Sequence, residues 1–306
     1  MCGIFGIINY GSMLSSKALT TLIKNLASEC SVRGTDATGI AYTNRNRIHV
    51  FKEPTPAYVF NNHLQEVKAK VIVGHTRHAT SGSAVNNYNN HPFIGKLKDK
   101  IFGMVHNGVI GNNHALENKL TLDVGKIRTD SYIVVKMIEH LGDLTPSNLK
   151  DVVEQLVGSY SLAFLDNRNT TYLVHGDNPL VVYDFPEKEV IVYASTDTIL
   201  HKAIIDSDLF QEIINKSFSI IRFEEGDILK ISPTGLINKY SFTFTPQCNP
   251  KLDWRSYDNY CIYSNKELDE ILNQYDLNDW DTVMELLDEG FTVEEIPMFL
   301  EEGYLS

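Results

Sequence analysis

Residues 1–10 have the sequence MCGIFGIINY, in which a cysteine stands directly before an apolar segment. Residues 3–9 are typical of a buried β-strand, because β-branched and aromatic side chains pack well on a pleated sheet. Cys2 would then lie where this strand begins. A free cysteine is most often a small buried residue and less often a reactive nucleophile. The residues downstream decide between these two interpretations.

The composition is that of an ordinary globular protein. With 306 residues, of which 43% are hydrophobic and 22% charged, the chain can bury a large core. There is no run of about 18 apolar residues, which predicts that nothing spans a membrane, and no signal-peptide pattern at the N-terminus. The four cysteines are too scattered for a disulfide framework. We therefore expect a cytoplasmic protein with reduced thiols.

The net charge of −12 is unevenly distributed along the chain. Residues 248–306 contain three basic and fifteen acidic residues, so the rest of the chain is neutral. This change predicts a domain over residues 1–245 and an acidic tail over residues 246–306. Capping-box patterns at residues 264–267 and 292–295 predict that the tail is helical. A neutral domain with an acidic tail offers no electrostatic surface for nucleic acid or an anionic membrane.

The spacing of apolar residues predicts many short strands and a few helices. The predicted helices cover residues 15–28, 130–141 and 149–157. The predicted strands cover residues 3–9, 40–43, 48–51, 71–75, 101–107, 159–165, 171–175, 180–185, 190–195, 219–222 and 227–232. Many antiparallel strands with helices grouped between them favour an α+β layered domain.

Five short segments concentrate the residue types that carry chemistry. They are MCGIFG (1–6), RGTDATG (33–39), GHTRHATSG (74–82), HNG (106–108) and TDS (129–131). Loops at the ends of strands are held in place by the scaffold and often carry function. These segments are therefore the candidates for a functional site.

Cys2 would combine a nucleophile and a base in one residue if Met1 were removed. The freed α-amine has a reference pKa of about 7.7–8.0, so it can accept the proton of the thiol near neutral pH. Such a residue needs no catalytic histidine. For an isolated cysteine, however, burial at the start of a strand is the more frequent outcome.

The other candidate groups each have a functional and a structural interpretation. Arg77 can clamp a carboxylate with its planar guanidinium, or it can form a surface ion pair. Asn107 and Gly108 can supply the amide and backbone N–H of an oxyanion hole, but spacing alone favours a hairpin turn at Asn-Gly. Asp130 can bind a substrate ammonium, but alone it is better explained as a helix N-cap.

Four histidines, His75, His78, His91 and His106, make a metal site a further possibility. Three of them lie in strand or loop patterns without a carboxylate at a ligand-like offset, which argues against a metal. The remaining candidates complement one another as nucleophile, base, carboxylate clamp, oxyanion donors and ammonium acceptor. Together they predict a pocket for an α-amino acid whose side-chain carbonyl is attacked.

With these segments in this order, the sequence resembles the glutaminase domain of class II glutamine amidotransferases, which are also called N-terminal nucleophile amidotransferases. The resemblance is strongest to the glutaminase domain of the glucosamine-6-phosphate synthases. The matching segments, with the family's pattern after each, are RGTDATG with RGYDSAG, HTRHATSG with HTRWATHG, NNHPF with NAHPH, HNGVI with HNGII, and RTDSYIV with ETDTEVI. The resemblance covers roughly residues 2–240. It implies an α+β, four-layer αββα sandwich of two antiparallel sheets, here with a small acidic helical C-terminal extension.

The resemblance also implies the chemistry of Cys2. Cys2 would be the nucleophile after loss of Met1, with its own α-amine as the general base. Asn107, through its side chain, and Gly108, through its backbone N–H, would form the oxyanion hole. The thiolate would attack the glutamine amide, ammonia would leave, and water would hydrolyse the γ-glutamyl thioester. Neither a metal nor an organic cofactor is expected.

By the same resemblance, four further positions would recognise L-glutamine. Arg77 and Thr80 would hold its α-carboxylate. Asp130, with the Gly108 carbonyl, would hold its α-ammonium, and Arg33 would brace the N-terminal residue.

Among the positions that depart from the family pattern, His78 replaces Trp, Ser81 replaces His, and Thr35 replaces Tyr. These changes concern closure of the substrate loop rather than the nucleophile.

In the family, synthase domains follow the glutaminase domain, whereas here it is followed by a segment of about 60 residues with a strongly negative net charge. We therefore expect a separate ammonia-accepting synthase subunit, docked by the tail or by another face. One alternative is that the tail only packs on its own domain. Another is a non-catalytic relative that keeps the pocket but retains Met1.

Overall fold

The computed structural model describes residues 2–205, 207, 209–210, 215 and 217–244. The predicted acidic helical tail over residues 246–306 lies outside the described residues, and so does the predicted boundary between the two domains. None of the described helices has the length and apolar composition that crossing a bilayer requires.

The described residues form thirteen strands and six α-helices. The strands are β1 Gly3–Ile8, β2 Ala37–Asn44, β3 Arg47–Glu53, β4 Val71–Arg77, β5 Phe93–Lys96, β6 Ile101–Ile110, β7 Gly158–Asp166, β8 Thr171–His175, β9 Val181–Phe185, β10 Val190–Ala194, β11 Ser219–Ile220, β12 Asp227–Ile231 and β13 Ile237–Ser241. The helices are α1 Ser16–Cys30, α2 Ala57–His63, α3 Asn113–Leu120, α4 Tyr132–Leu141, α5 Pro146–Val153 and α6 Asp197–Ile205.

The strands of the described part form two antiparallel sheets. The first sheet has the order β11-β9-β10-β1-β4-β2-β3, and the second has the order β13-β12-β8-β7-β6-β5. Helices α1, α2 and α6 pack on the first sheet, and α4 and α5 pack on the second. A third apolar cluster fills the space between the sheets. The predicted four-layer αββα sandwich is therefore confirmed.

Strand β1 shows why the opening segment is apolar throughout. Successive side chains of a strand point to opposite faces of the sheet. Phe5 and Ile7 pack against the helices, whereas Ile4 and Ile8 pack against the second sheet. All four are fully buried, and each such side chain stabilises the fold by about 1.5–3 kcal/mol relative to an exposed one.

Two helices begin at other residues than the sequence predicts. The helix predicted to begin at residue 149 begins at Pro146, because Thr145 accepts a hydrogen bond from the backbone N–H of Asn148 and caps it. The helix predicted to begin at residue 130 begins at Tyr132. The Asp130 side chain does not cap it, so the N-cap interpretation of this aspartate is wrong.

Asn107 and Gly108 do not form the hairpin turn that spacing alone favours. Strand β6 continues through them to Ile110 and pairs with β7 along its length. Gly108 has φ +140°, and a Cβ there would clash with the carbonyl oxygen of Ser159. The glycine is therefore required by close approach of the paired strand and by its backbone conformation.

Candidate active site

Cys2 lies directly before β1, where strand pairing and Arg33 fix its backbone. The next residue, Gly3, pairs with Thr76 of β4. Arg33 Nε donates a hydrogen bond to the Cys2 carbonyl oxygen at 2.8 Å, and Cys2 Sγ donates to the His78 carbonyl oxygen at 3.4 Å. Arg33, which the resemblance predicts to brace this residue, contacts it through the first of these bonds. Cys2 as a whole is half-buried, and its thiol lies beside the loop that follows β4.

Desolvation is the largest influence on the Cys2 thiol, and it raises the pKa of that thiol. The charges of Arg77 and Asp130 also reach the thiol, the first lowering its pKa and the second raising it. A thiol with a raised pKa is mostly protonated at neutral pH, whereas the thiolate is the nucleophile. Cys2 therefore needs a nearby base to react.

Arg77 ends β4 and is only 2% exposed. Its Nη1 donates to Asn90 Oδ1 at 2.5 Å, and its Nη2 donates to the carbonyl oxygens of Ser81 and of Gly82, the latter at 2.7 Å. These three bonds use three of the five N–H donors of a guanidinium. The other two, one on Nε and one on Nη1, have no hydrogen-bond partner among the described residues. They lie on opposite sides of the guanidinium, so each can donate singly to a ligand.

Asp130 connects the loop after β4 to the end of β6. Its Oδ2 accepts a hydrogen bond from the Ile110 backbone N–H at 2.7 Å, and its Oδ1 accepts one from Ser81 Oγ at 3.1 Å. The carboxylate is 8% exposed. Ser81, one of the departures from the family pattern, thus helps to orient the group predicted to bind the ammonium.

Asn107 is 1% exposed, and neither its Oδ1 nor its Nδ2 has a hydrogen-bond partner among the described residues. Its backbone carbonyl accepts a hydrogen bond from Asn178 Nδ2 at 3.2 Å, which also donates to Ser159 Oγ at 2.6 Å. A buried polar atom without a partner typically destabilises a fold by about 1–3 kcal/mol. An unpaired buried amide in a native structure needs an explanation, and a ligand that forms hydrogen bonds with the amide would provide it.

The register of the second sheet sets the direction of the Gly108 backbone groups. Gly108 is opposite Tyr160 of β7. The Tyr160 N–H donates to Asp177 Oδ1 at 2.9 Å, and its carbonyl accepts from the Gly176 N–H at 3.1 Å, so both groups point away from β6. Residues opposite each other in such a non-hydrogen-bonded pair turn their backbone groups outward. The N–H and C=O of Gly108 therefore point away from β7.

The same edge of β6 carries two further backbone groups, and both have partners. The His106 carbonyl accepts a hydrogen bond from His75 Nε2 at 2.9 Å. The Ile110 N–H donates to Asp130. Gly108 lies between these two positions. Its N–H and C=O therefore point to the same edge of β6, where His75 and Asp130 contact the strand.

Three of the four histidines considered as metal ligands form a buried cluster. The ring centroids of His75 and His91 are 4.2 Å apart, and those of His91 and His106 are 6.4 Å apart. Desolvation lowers the pKa of all three, that of His75 to about 3, so they are neutral at neutral pH. No group of three or more His, Cys, Asp or Glu side chains in the described part of the chain is arranged to hold a metal ion. His78, the fourth of these histidines, is exposed.

The candidate residues predicted from the sequence occur around the same loop and strand ends. Thr80 lies in the loop between Arg77 and Ser81, one position before the serine that contacts Asp130. Three contributors were not singled out from the sequence, namely Ser81 as a partner of Asp130, Asn90 as a partner of Arg77, and Asn178. The adjacent asparagines in NNHPF were a sequence signal that could have pointed to Asn90.

Residues 1–185 match the family of class-II glutamine amidotransferases. The glutamine–fructose-6-phosphate aminotransferase of Bacillus subtilis (strain 168) is 37% identical over 189 residues, which are 60% of this chain and 30% of the relative. That of Halalkalibacterium halodurans is 30% identical over 241 residues, which are 77% of this chain and 38% of the relative. The chain thus spans about a third of the length of these curated relatives.

Solved structures show the same fold. Glutamine phosphoribosylpyrophosphate amidotransferase from B. subtilis, complexed with ADP and GMP, has a TM-score of 0.63 at 19% identity and covers 80% of this chain and 50% of its own. A structure described as the allosteric regulatory enzyme of purine biosynthesis has the same TM-score at 20% identity. Since the family match covers more than half of the sequence, the chain belongs to the class-II glutamine amidotransferases.

Proposed function

We propose that Cys2, as the N-terminal residue after removal of Met1, attacks the side-chain amide of L-glutamine and releases ammonia and glutamate. The observation that carries this proposal is the buried Asn107 amide, which has no partner among the described residues. It adjoins the Gly108 N–H, which the strand register turns to the edge of β6. Two donors aimed at developing negative charge are what the tetrahedral intermediate of acyl transfer requires.

The proposed reaction begins with proton transfer from the Cys2 thiol to its own α-amine. The thiolate then forms a bond to the side-chain carbonyl carbon of glutamine, and the resulting oxyanion is stabilised by Asn107 and Gly108. Collapse of this intermediate breaks the C–N bond, and the amine returns the proton to the departing ammonia. Water then hydrolyses the thioester, which yields glutamate and restores the thiol.

In this proposal the α-amino acid portion of glutamine is held by charged groups of opposite sign. An N–H donor of Arg77 that has no partner among the described residues, together with Thr80, binds the α-carboxylate. Asp130 and the Gly108 carbonyl bind the α-ammonium. Arg33 keeps the backbone of Cys2 in place through its bond to the Cys2 carbonyl.

The substrate assignment is tested by glutamate release from L-glutamine and by the substitution Arg77→Lys. Lysine keeps the charge but loses the planar guanidinium and the fixed directions of its N–H donors, so we expect the KM for glutamine to rise about tenfold or more. Steady-state assays should show a much smaller change in kcat. If the wild-type protein released no glutamate, or if Arg77→Lys left KM unchanged, the assignment would be wrong.

We further propose that the ammonia is used by an acceptor that a separate subunit binds, and that residues 246–306 contribute to docking it. Ammonia released into solvent is lost to transfer, and an acidic segment is suited to a basic partner surface. Affinity capture with the full chain and with a chain lacking residues 248–306 tests this proposal. We expect the truncated chain to lose the partner, whereas recovery of identical partners would contradict docking by the tail.

A further inference from the structure

Lys52 is a half-buried cation close to the candidate active site. It lies near the end of β3, and its Nζ donates to the carbonyl oxygens of Asn90 at 2.5 Å and Pro92 at 3.1 Å. The same Nζ lies 5.4 Å from the centroid of the Phe93 ring. The Lys52 carbonyl accepts a hydrogen bond from Asn87 Nδ2 at 2.8 Å. Lys52 thus holds one segment through both its side chain and its backbone.

Gly39 makes room for this arrangement. It is paired with Lys52 across β2 and β3. A Cβ on Gly39 would lie 2.6 Å from Lys52 Cβ and would clash with the carbonyl oxygen of His91. The lysine stem and the held segment therefore occupy the space of the missing side chain. The contact between Lys52 and this segment is therefore a packed contact within the fold.

Asn90 connects the lysine to the guanidinium of Arg77. The Asn90 Oδ1 accepts from Arg77 Nη1 at 2.5 Å, while its Nδ2 donates to the Ala84 carbonyl at 2.7 Å and to Asn87 Oδ1 at 3.2 Å. Asn90 is fully buried. Since Lys52 holds its carbonyl and Arg77 holds its side chain, two cations depend on the position of this one residue.

Keeping a charge at this position is unfavourable in itself. Desolvation, followed by repulsion from Arg77, lowers the pKa of Lys52 to about 8. A buried ammonium is tolerated only when hydrogen bonds replace its water, and here the carbonyls of Asn90 and Pro92 do so. A lysine that is held in this way despite its desolvation fixes those carbonyls more firmly than a neutral side chain would.

We propose that Lys52 is a positioning residue for substrate recognition: it fixes Asn90, and Asn90 in turn aims the Arg77 guanidinium at the α-carboxylate of the amino acid substrate. This inference rests on the proposed function. Lys52 acts through Asn90 and Arg77, so its loss should weaken binding of glutamine and leave the chemistry at Cys2 nearly intact.

The test compares Lys52→Met, which keeps most of the stem and removes the ammonium, with Lys52→Arg. We expect Lys52→Met to raise the KM for glutamine about tenfold with kcat changed less than about twofold, since a displaced clamp mainly affects binding. Lys52→Arg should restore KM to within about threefold of wild type. Lys70→Met is the matched control, because Lys70 is an exposed lysine directly before the first residue of β4. This variant should leave KM and kcat unchanged.

A readout that does not depend on activity separates this inference from the proposed function. Amide hydrogen exchange of residues 83–92 should become faster in Lys52→Met than in wild type and in Lys70→Met. Unchanged exchange, or an unchanged KM in an active Lys52→Met variant, would overturn the positioning role. An inactive wild-type protein would instead refute the proposed function, and exchange alone would then decide whether Lys52 fixes this segment.

Discussion

The substitution Cys2→Ala is expected to lower glutamate release by about 10⁴-fold or more, because removal of a covalent nucleophile leaves only binding and oxyanion stabilisation. The fold should persist. The strand pairing of Gly3 and the bond from Arg33 both act on the backbone, which alanine keeps. Coupled assays of glutamate and ammonia, together with thermal unfolding of the same preparations, check both expectations.

Cys30→Ala is the matched control for thiol chemistry. Cys30 is fully buried in α1, and desolvation raises the pKa of its thiol strongly, so this sulfur is unreactive. We expect a modest loss of stability, about 1 kcal/mol, from the lost packing and activity within about threefold of wild type. Equal losses of activity in the two variants would show that the effect of Cys2→Ala is structural.

The substitution Asn107→Ala is expected to lower kcat by about 10²–10³-fold with KM nearly unchanged, which is the effect of removing one donor from an oxyanion hole. The free energy of unfolding should stay the same or rise. In the native structure both polar atoms of this side chain are buried without a partner among the described residues, so alanine removes an unpaired group rather than a bond. Kinetics and urea unfolding of one preparation measure both quantities.

Asn112, in the segment after β6, is the control for Asn107, because both polar atoms of its side chain have hydrogen-bond partners. Its Nδ2 donates to the Gln155 carbonyl at 2.8 Å, and its Oδ1 accepts from the Val157 N–H at 2.9 Å. Asn112→Ala should therefore reduce the stability by about 1–2 kcal/mol and leave kcat unchanged. If Asn107→Ala behaved like Asn112→Ala, Asn107 would be a structural residue and the proposed oxyanion hole would be wrong.

The fold was largely predictable where the signal is local or strongly apolar. The run of residues 3–8 is buried on both faces, as its composition predicts. Helix α1 begins after Ser15, whose side chain accepts from the Ala18 N–H, and ends two residues beyond its predicted end. The short elements α2, α3, β5 and β13 were not predicted, because few of their side chains are buried and the apolar pattern is correspondingly weak.

The errors occurred where long-range contacts override local signals. Asn-Gly is a strong hairpin signal, but β7 pairs along β6 and extends it through residues 107–108. Asp130 has the position of a helix cap, but its carboxylate binds the Ile110 N–H twenty residues earlier. The partners that orient Arg77 could not be inferred from spacing either. They are brought together by the sheet, and each alone is an ordinary polar residue.

The most direct test of the central claim is glutamate release by a chain with one alanine inserted between Met1 and Cys2, its N-terminus verified by mass spectrometry. The insertion keeps the thiol but turns the α-amine of Cys2 into an amide, which cannot act as a base. We predict that the native chain carries Cys2 at its N-terminus and is active, and that the extended chain falls to the level of Cys2→Ala. Activity in the extended chain, or in a native chain that retains Met1, would contradict the proposed mechanism.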